Sequence, residues 1–338
     1  MTFDLSERPR RNRRTLAIRA MVRETSLEVG RLVYPLFFHE DDDDQPLESL
    51  PGQMRWSLAG LVKEVGRAAA MGVDKVVLFP KVPDALKSRD GAAASKKDGM
   101  VPRAIKAIKA AHPEVCVITD VALDPYSTDG HDGYVNDAGE VDNDATLPQL
   151  AKQAVAHAKA GADIVAPSDM MDGRVEVIRD ALDDAGFTNV AIMAYTAKYA
   201  SAFYGPFREA LDSAPRLAGD RPIPTDKTTY QMDPANVREA LREVEADEDQ
   251  GADYVMVKPA GPYLDVVRAV REHTQLPVAA YQVSGEYLMI KAAAASGYLE
   301  ERAVVLESLM GIRRAGADVI LTYFAPQVAA WLNEKHTK

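Results

Sequence analysis

MGVDKVV at 71–77, AGADIV at 160–165, QGADYV at 250–255 and AGADVI at 315–320 are one junction met four times. Each closes a stretch of helical periodicity at a glycine, follows it with an aspartate, and opens a β-branched apolar run. Glycine there accepts the left-handed backbone that ends a helix and that other residues resist. The runs that follow are short and continuously apolar, as strands buried on both faces are. Working outward, eight such runs appear: 32–38, 74–80, 115–123, 162–167, 189–196, 252–258, 277–283 and 317–324. Helical spacing fills the intervals, as in Leu61, Val65 and Ala69, or in Val237, Leu241 and Val244. Eight strand–helix units in succession predict an α/β fold closed as a (β/α)8 TIM barrel. The alternative, a doubly wound open sheet, lacks the glycine-rich phosphate turn expected after its first strand.

Three segments stand outside the repeat. Residues 1–30 carry RPRRNRR and read as an extended N-terminal arm, leaving 31–338 as the barrel domain. Residues 124–144 form a long Asp/Gly-rich loop after the third strand, and 199–233 form the longest excursion, an expected active-site lid. The 338 residues are 47% hydrophobic with a formal charge of -11, which disfavours nucleic acid and anionic membrane as partners. A single cysteine, Cys116, excludes an internal disulfide and a multi-thiolate zinc site. No apolar run approaches the roughly 20 residues that span a bilayer, and no signal-type stretch follows the charged start. The expectation is a soluble, cytoplasmic enzyme.

In such barrels the chemistry sits at the C-terminal strand ends. Those positions hold Asp120, Asp124, Ser168, Asp169, Lys198, Lys258, Ser284 and Tyr323. Two lysines at neighbouring strand ends are the unusual feature, since adjacent strands lie only about 4.8 Å apart. A free lysine is neutral in about one molecule in 10³ at pH 7, but a second cation and an apolar wall both lower its pKa. A neutral lysine attacks a ketone to form a Schiff base. A lone lysine at a barrel rim reads more simply as the partner of a carboxylate; two inside successive apolar runs do not.

MAYTAKYASAFYGPFR at 193–208, YVMVKPAGPYLD at 254–265, YQVSGEY at 281–287 and APSDMMDGR at 166–174 resemble the porphobilinogen synthase (5-aminolaevulinate dehydratase) family. The resemblance runs from the arginine-rich arm to LTYFAP at 321–326. It implies condensation of two 5-aminolaevulinate molecules to porphobilinogen in tetrapyrrole synthesis. Carried over by motif position, Lys258 forms the imine with the acetyl-side substrate and Lys198 holds the propionyl-side substrate. Ser284 and Tyr323 take the first carboxylate; Arg208, with Lys227 and Gln231 from the lid, takes the second. Ser168 counts among the substrate contacts, and Asp120 either assists proton transfer or orients a lysine. In this family the arm packs on a neighbouring subunit and supports a homo-octamer.

The chain departs from the family's zinc-binding members. Where they carry three cysteines, DVALDPYSTDGHDG places Ala122, Asp124 and Asp132. Oxygen ligands suit magnesium or a monovalent cation, so no catalytic zinc is expected. The resemblance is to the magnesium-responsive branch, whose allosteric glutamate falls on Glu243. Within GDRPIPTDKTTYQMDP a short insertion leaves two candidates for the second basic carboxylate ligand: Lys227, counting back from Gln231, or Arg221, counting forward from Gly219. Lys227 is preferred because the segment after it runs without gaps. EDDDD at 40–44 reads as a solvated turn and His131 as an exposed loop residue. A class I Schiff-base aldolase is the enzymatic alternative, with one essential lysine. The non-catalytic alternative is a degenerate barrel carrying a nucleic-acid arm, which both lysines argue against.

Overall fold

The four Gly-Asp junctions do the work expected of them, and the aspartate has a reason of its own. In the computed structural model, which describes residues 5–211, 215 and 222–334, Gly72, Gly161, Gly251 and Gly316 all have positive φ. The carboxylates of Asp163, Asp253 and Asp318 then accept the backbone N–H of Val117, Ile192 and Val278 at 2.7, 2.7 and 3.1 Å. Each is an N–H near the start of the neighbouring strand that the ladder leaves without a partner, so the side chain closes the bottom of the sheet.

The strands are β1 (Leu32–Phe38), β2 (Gln45–Pro46), β3 (Met54–Trp56), β4 (Lys75–Pro80) and β5 (Cys116–Val121). They continue with β6 (Ile164–Pro167), β7 (Ala191–Lys198), β8 (Tyr254–Lys258), β9 (Val278–Gln282) and β10 (Val319–Thr322). Eight of these, β1 and β4 to β10, pair in parallel in chain order, and β10 pairs with β1 to close the barrel. The helices are α1 (Leu16–Met21), α2 (Leu58–Ala70), α3 (Met100–Ala111), α4 (Asn143–Ala160), α5 (Arg174–Asp184) and α6 (Gly205–Leu211). After them come α7 (Arg238–Asp249), α8 (Leu264–His273), α9 (Ser284–Ala295), α10 (Glu301–Ala315) and α11 (Ala325–Asn333). The expected (β/α)8 TIM barrel is the observed one.

Two departures matter for the site. β7 runs two residues past the expected end at 196, through a register shift between Ala194 and Ala197, and terminates on Lys198 itself. The small antiparallel pair β2–β3, outside the eight expected runs, is a hairpin laid against β1. Ser49 donates to the Pro206 carbonyl and Arg55 to the Ala210 carbonyl at 2.7 Å, so the hairpin braces α6 within the expected lid. Within the arm, the 3₁₀ turn at Pro9–Arg13 and α1 bury no residue, whereas Leu27 and Val29 pack partly buried against the core.

Candidate active site

Lys198 and Lys258 are register partners across β7 and β8, at the C-terminal mouth. The Lys258 Nζ lies 4.6–5.2 Å from the ring centroids of Tyr195, Tyr204, Phe207 and Tyr281. Ring faces attract an ammonium by about 0.5–2 kcal/mol each, but they do not replace its lost hydration. Burial, reinforced by the Lys198 charge, wins: the Lys258 pKa falls from 10.5 to about 7. Such an amine is neutral in a large share of molecules near neutrality, the condition a nucleophilic lysine needs.

Lys198 stands in different surroundings. Its ammonium donates to the Ser168 carbonyl and lies 3.4 Å from an Asp132 oxygen. Asp132 also receives Lys227 at 2.8 Å and the Tyr230 hydroxyl at 2.9 Å. Burial alone would raise that carboxyl, yet Lys198 and Lys227 hold it well below the ordinary carboxylate range. Lys227 reaches Asp124 as well, at 3.2 Å, so one ammonium bridges the two carboxylates that the loop offers. Asp120 is the opposite case: burial and then Asp124 push its carboxyl up to about 7, against the pull of Lys198 and a Ser168 hydrogen bond. Its Oδ1 is buried without a protein partner.

The expected carboxylate contacts fall in two groups. The Tyr323 hydroxyl meets that of Tyr281 at 3.1 Å, and the Ser284 Oγ accepts the Phe207 N–H at 3.1 Å. Both lie on the Lys258 side. Gln231 is buried with an unpartnered Oε1, and Lys227 sits four residues before it. Arg208 stacks over the Tyr204 ring at 5.9 Å, and Arg221 lies outside the described residues. Glu243 is not part of this mouth. It lines a cavity of about 820 Å³ beside it, with Met170, Asp172, Thr229 and Gln231. Burial and then the charges of Asp247, Asp172 and Glu239 raise its carboxyl to about 7, against the pull of Arg174. Among the described residues no three His, Cys, Asp or Glu side chains converge as a metal site.

The family model for delta-aminolevulinic acid dehydratase matches residues 6–331. The chain belongs to this family. It is 61% identical over 326 residues to a chloroplastic delta-aminolevulinic acid dehydratase of Physcomitrium patens, covering 96% of this chain and 74% of that one. To the chloroplastic enzyme of Oryza sativa subsp. japonica it is 58% identical, covering 97% and 75%. A crystal structure of delta-aminolevulinic acid dehydratase (porphobilinogen synthase) from Toxoplasma gondii ME49, in complex with the reaction product porphobilinogen, superposes with a TM-score of 0.94. It is 53% identical and covers 97% of this chain and 92% of that one.

The cytoplasmic assignment is corrected by these relatives, which are named chloroplastic. A single cysteine, and no helix among the described residues long and apolar enough to cross a membrane, do not tell one compartment from another. His131 is likewise not exposed. It is buried between the Tyr230 hydroxyl at 3.0 Å and the Pro224 carbonyl at 2.9 Å, and so joins the 124–144 loop to the lid. The aromatic cage was missed although Tyr195 and Tyr281 stand inside quoted motifs. Their signal was a large aromatic within an apolar strand run close to a lysine strand end.

Proposed function

We propose that Lys258 and Lys198 each carry one substrate as an imine in the reaction of this family, the condensation of two 5-aminolaevulinate molecules to porphobilinogen with loss of water. As a delta-aminolevulinic acid dehydratase the chain is a lyase of porphyrin biosynthesis. The observation that carries the division of labour is the contrast between the two amines. Lys258, lowered to about 7, attacks the ketone of the acetyl-side substrate. The ketone oxygen leaves as water, and the protonated imine then acidifies the adjacent C–H. Asp120, with a free buried oxygen and a pKa of about 7, is suited to take and return that proton. Lys198, beside Asp132, holds the propionyl-side substrate; the hydrogen bond to a carboxylate orients it while Lys227 shares the charge.

Ser284 and Tyr323 are read as ligands of the first carboxylate, and Arg208, Lys227 and Gln231 as ligands of the second, with Ser168 beside Lys198. Charge-assisted hydrogen bonds from a guanidinium or ammonium suit that task. The assignment of Lys227 rests on its position in the mouth. Borohydride added with 5-aminolaevulinate is expected to fix substrate mass on Lys258. Lys258→Ala should lower turnover by at least about 10³-fold, as losing a covalent nucleophile does. Activity surviving in that variant would refute the role.

Metal chemistry fits unevenly. Asp124 and Asp132 already share the Lys227 ammonium, so the donor set is occupied by a side chain and no step is routed through a cation there. Glu243 fits a hard cation better: its carboxyl is raised by burial and neighbouring acids, and magnesium commonly uses one or two carboxylates plus waters. We therefore assign a regulatory magnesium to Glu243. Turnover indifferent to both chelation and added magnesium would end that reading. We also assign the exposed arm to contacts between copies in a homo-octamer.

A further inference from the structure

Glu286 sits in the first turn of α9, buried, with its carboxylate held by three backbone N–H groups. Val283 donates to Oε2 at 2.8 Å, Ala260 to Oε2 at 3.3 Å and Gly261 to Oε1 at 2.7 Å. These donors come from two separate rim loops. Ala260 and Gly261 follow Lys258 by two and three residues, and Val283 immediately precedes Ser284. The β8–β9 ladder ends at Val257 opposite Ala280, before either functional side chain is reached. Beyond that pair the sheet does not fix one rim against the other, and the Glu286 carboxylate does. Gly261 is packed so closely on it that a Cβ would stand 2.5 Å from Oε1. Burying this carboxyl is unfavourable enough to raise it to about 7, so a fully apolar residue here would spare that penalty but leave three N–H groups unmet.

We propose that Glu286 is a positioning residue that sets the span between the Lys258 amine and the Ser284 hydroxyl, and thereby the fit of the acetyl-side substrate between its imine carbon and its carboxylate. The proposal rests on the roles given above to Lys258 and Ser284. A glutamine at 286 has the same shape, but however its amide faces, an NH₂ group meets at least one of the three donors. One rim must then move.

The test is borohydride trapping across a series of 5-aminolaevulinate concentrations, with mass spectrometry locating substrate on each lysine. In Glu286→Gln the concentration that half-saturates trapping at Lys258 should rise by roughly tenfold, the order expected for one unmet buried donor, while trapping at Lys198 stays as in the parent. In steady state KM should rise more than kcat falls. Gly261→Ala, which displaces the same carboxylate without removing it, should give the same selective loss and serves if the glutamine variant does not fold. Unchanged trapping at both lysines, or an equal fall at both, would overturn the positioning role. If the parent protein itself shows no substrate on Lys258, the imine assignment fails and this proposal goes with it.

Discussion

At the scale of single residues, the reactivity proposed for Lys258 comes from what surrounds it, and the direction of the effect can be checked. Its amine has a pKa of about 7 in the folded chain against 10.5 for an ordinary lysine, through burial first and the Lys198 charge second. Below about 7 it is mainly ammonium and above about 7 mainly neutral. The rate of imine formation at Lys258 should therefore climb as pH rises toward 7 and level off beyond it. An unperturbed lysine would keep climbing about tenfold per unit to beyond pH 10. Phe207→Ala, which opens one apolar wall, should move the bend to higher pH; a bend that stays put would show that the cage does not set it. The two lysines were legible because Lys258 closes an apolar run and Lys198 follows one by two residues. The cage was not, because Tyr204 and Phe207 come from the lid and meet Lys258 only in three dimensions. Glu286 was illegible for the same reason: YQVSGEY shows the carboxylate but not the N–H groups of Ala260 and Gly261 that it holds.

At the scale of elements, the strand runs were readable because burial on both faces leaves few polar residues, mostly towards the C-terminal ends, to blur them. The lid was readable only as a length of chain. α6 is seven residues long, too short to be stable alone, so its order depends on what it packs against. Phe207 provides one anchor, meeting the Phe79 ring edge-on at 5.0 Å. Arg55, from the unpredicted β3, provides the other through the Ala210 carbonyl, near the C-terminal end of α6 where a cation is favoured. A hydrogen bond from a charged donor contributes about 1.5–3 kcal/mol. Arg55→Ala should accordingly loosen the docked lid and raise the KM for 5-aminolaevulinate by roughly tenfold, with a smaller change in kcat. Steady-state kinetics check this. An unchanged KM would mean that the Phe207 contacts hold α6 unaided. The hairpin escaped sequence reading because β2 and β3 are two and three residues long, too short for any alternation to show.

At the scale of the whole molecule, the start of the arm lies open: Leu16 and Met21 of α1 are 78% and 83% exposed. α1 is six residues long and capped by the Thr15 hydroxyl, with no buried residue of its own, so nothing among the described residues accounts for its apolar side chains. The homo-octamer proposed above would cover them: burying a leucine or methionine contributes about 1.5–3 kcal/mol, and several arms in one closed assembly multiply the effect. Replacing both residues with aspartate, Leu16→Asp with Met21→Asp, adds charge where the partner would sit and touches no barrel contact. Sedimentation of this double variant should give a smaller assembly than the parent at equal concentration, while its melting profile at high dilution, where the parent too is dissociated, stays the same. An unaltered mass would mean that assembly does not run through the arm. A lowered melting temperature of the dissociated chain would mean that α1 stabilises its own barrel, against the absence of any buried residue in it.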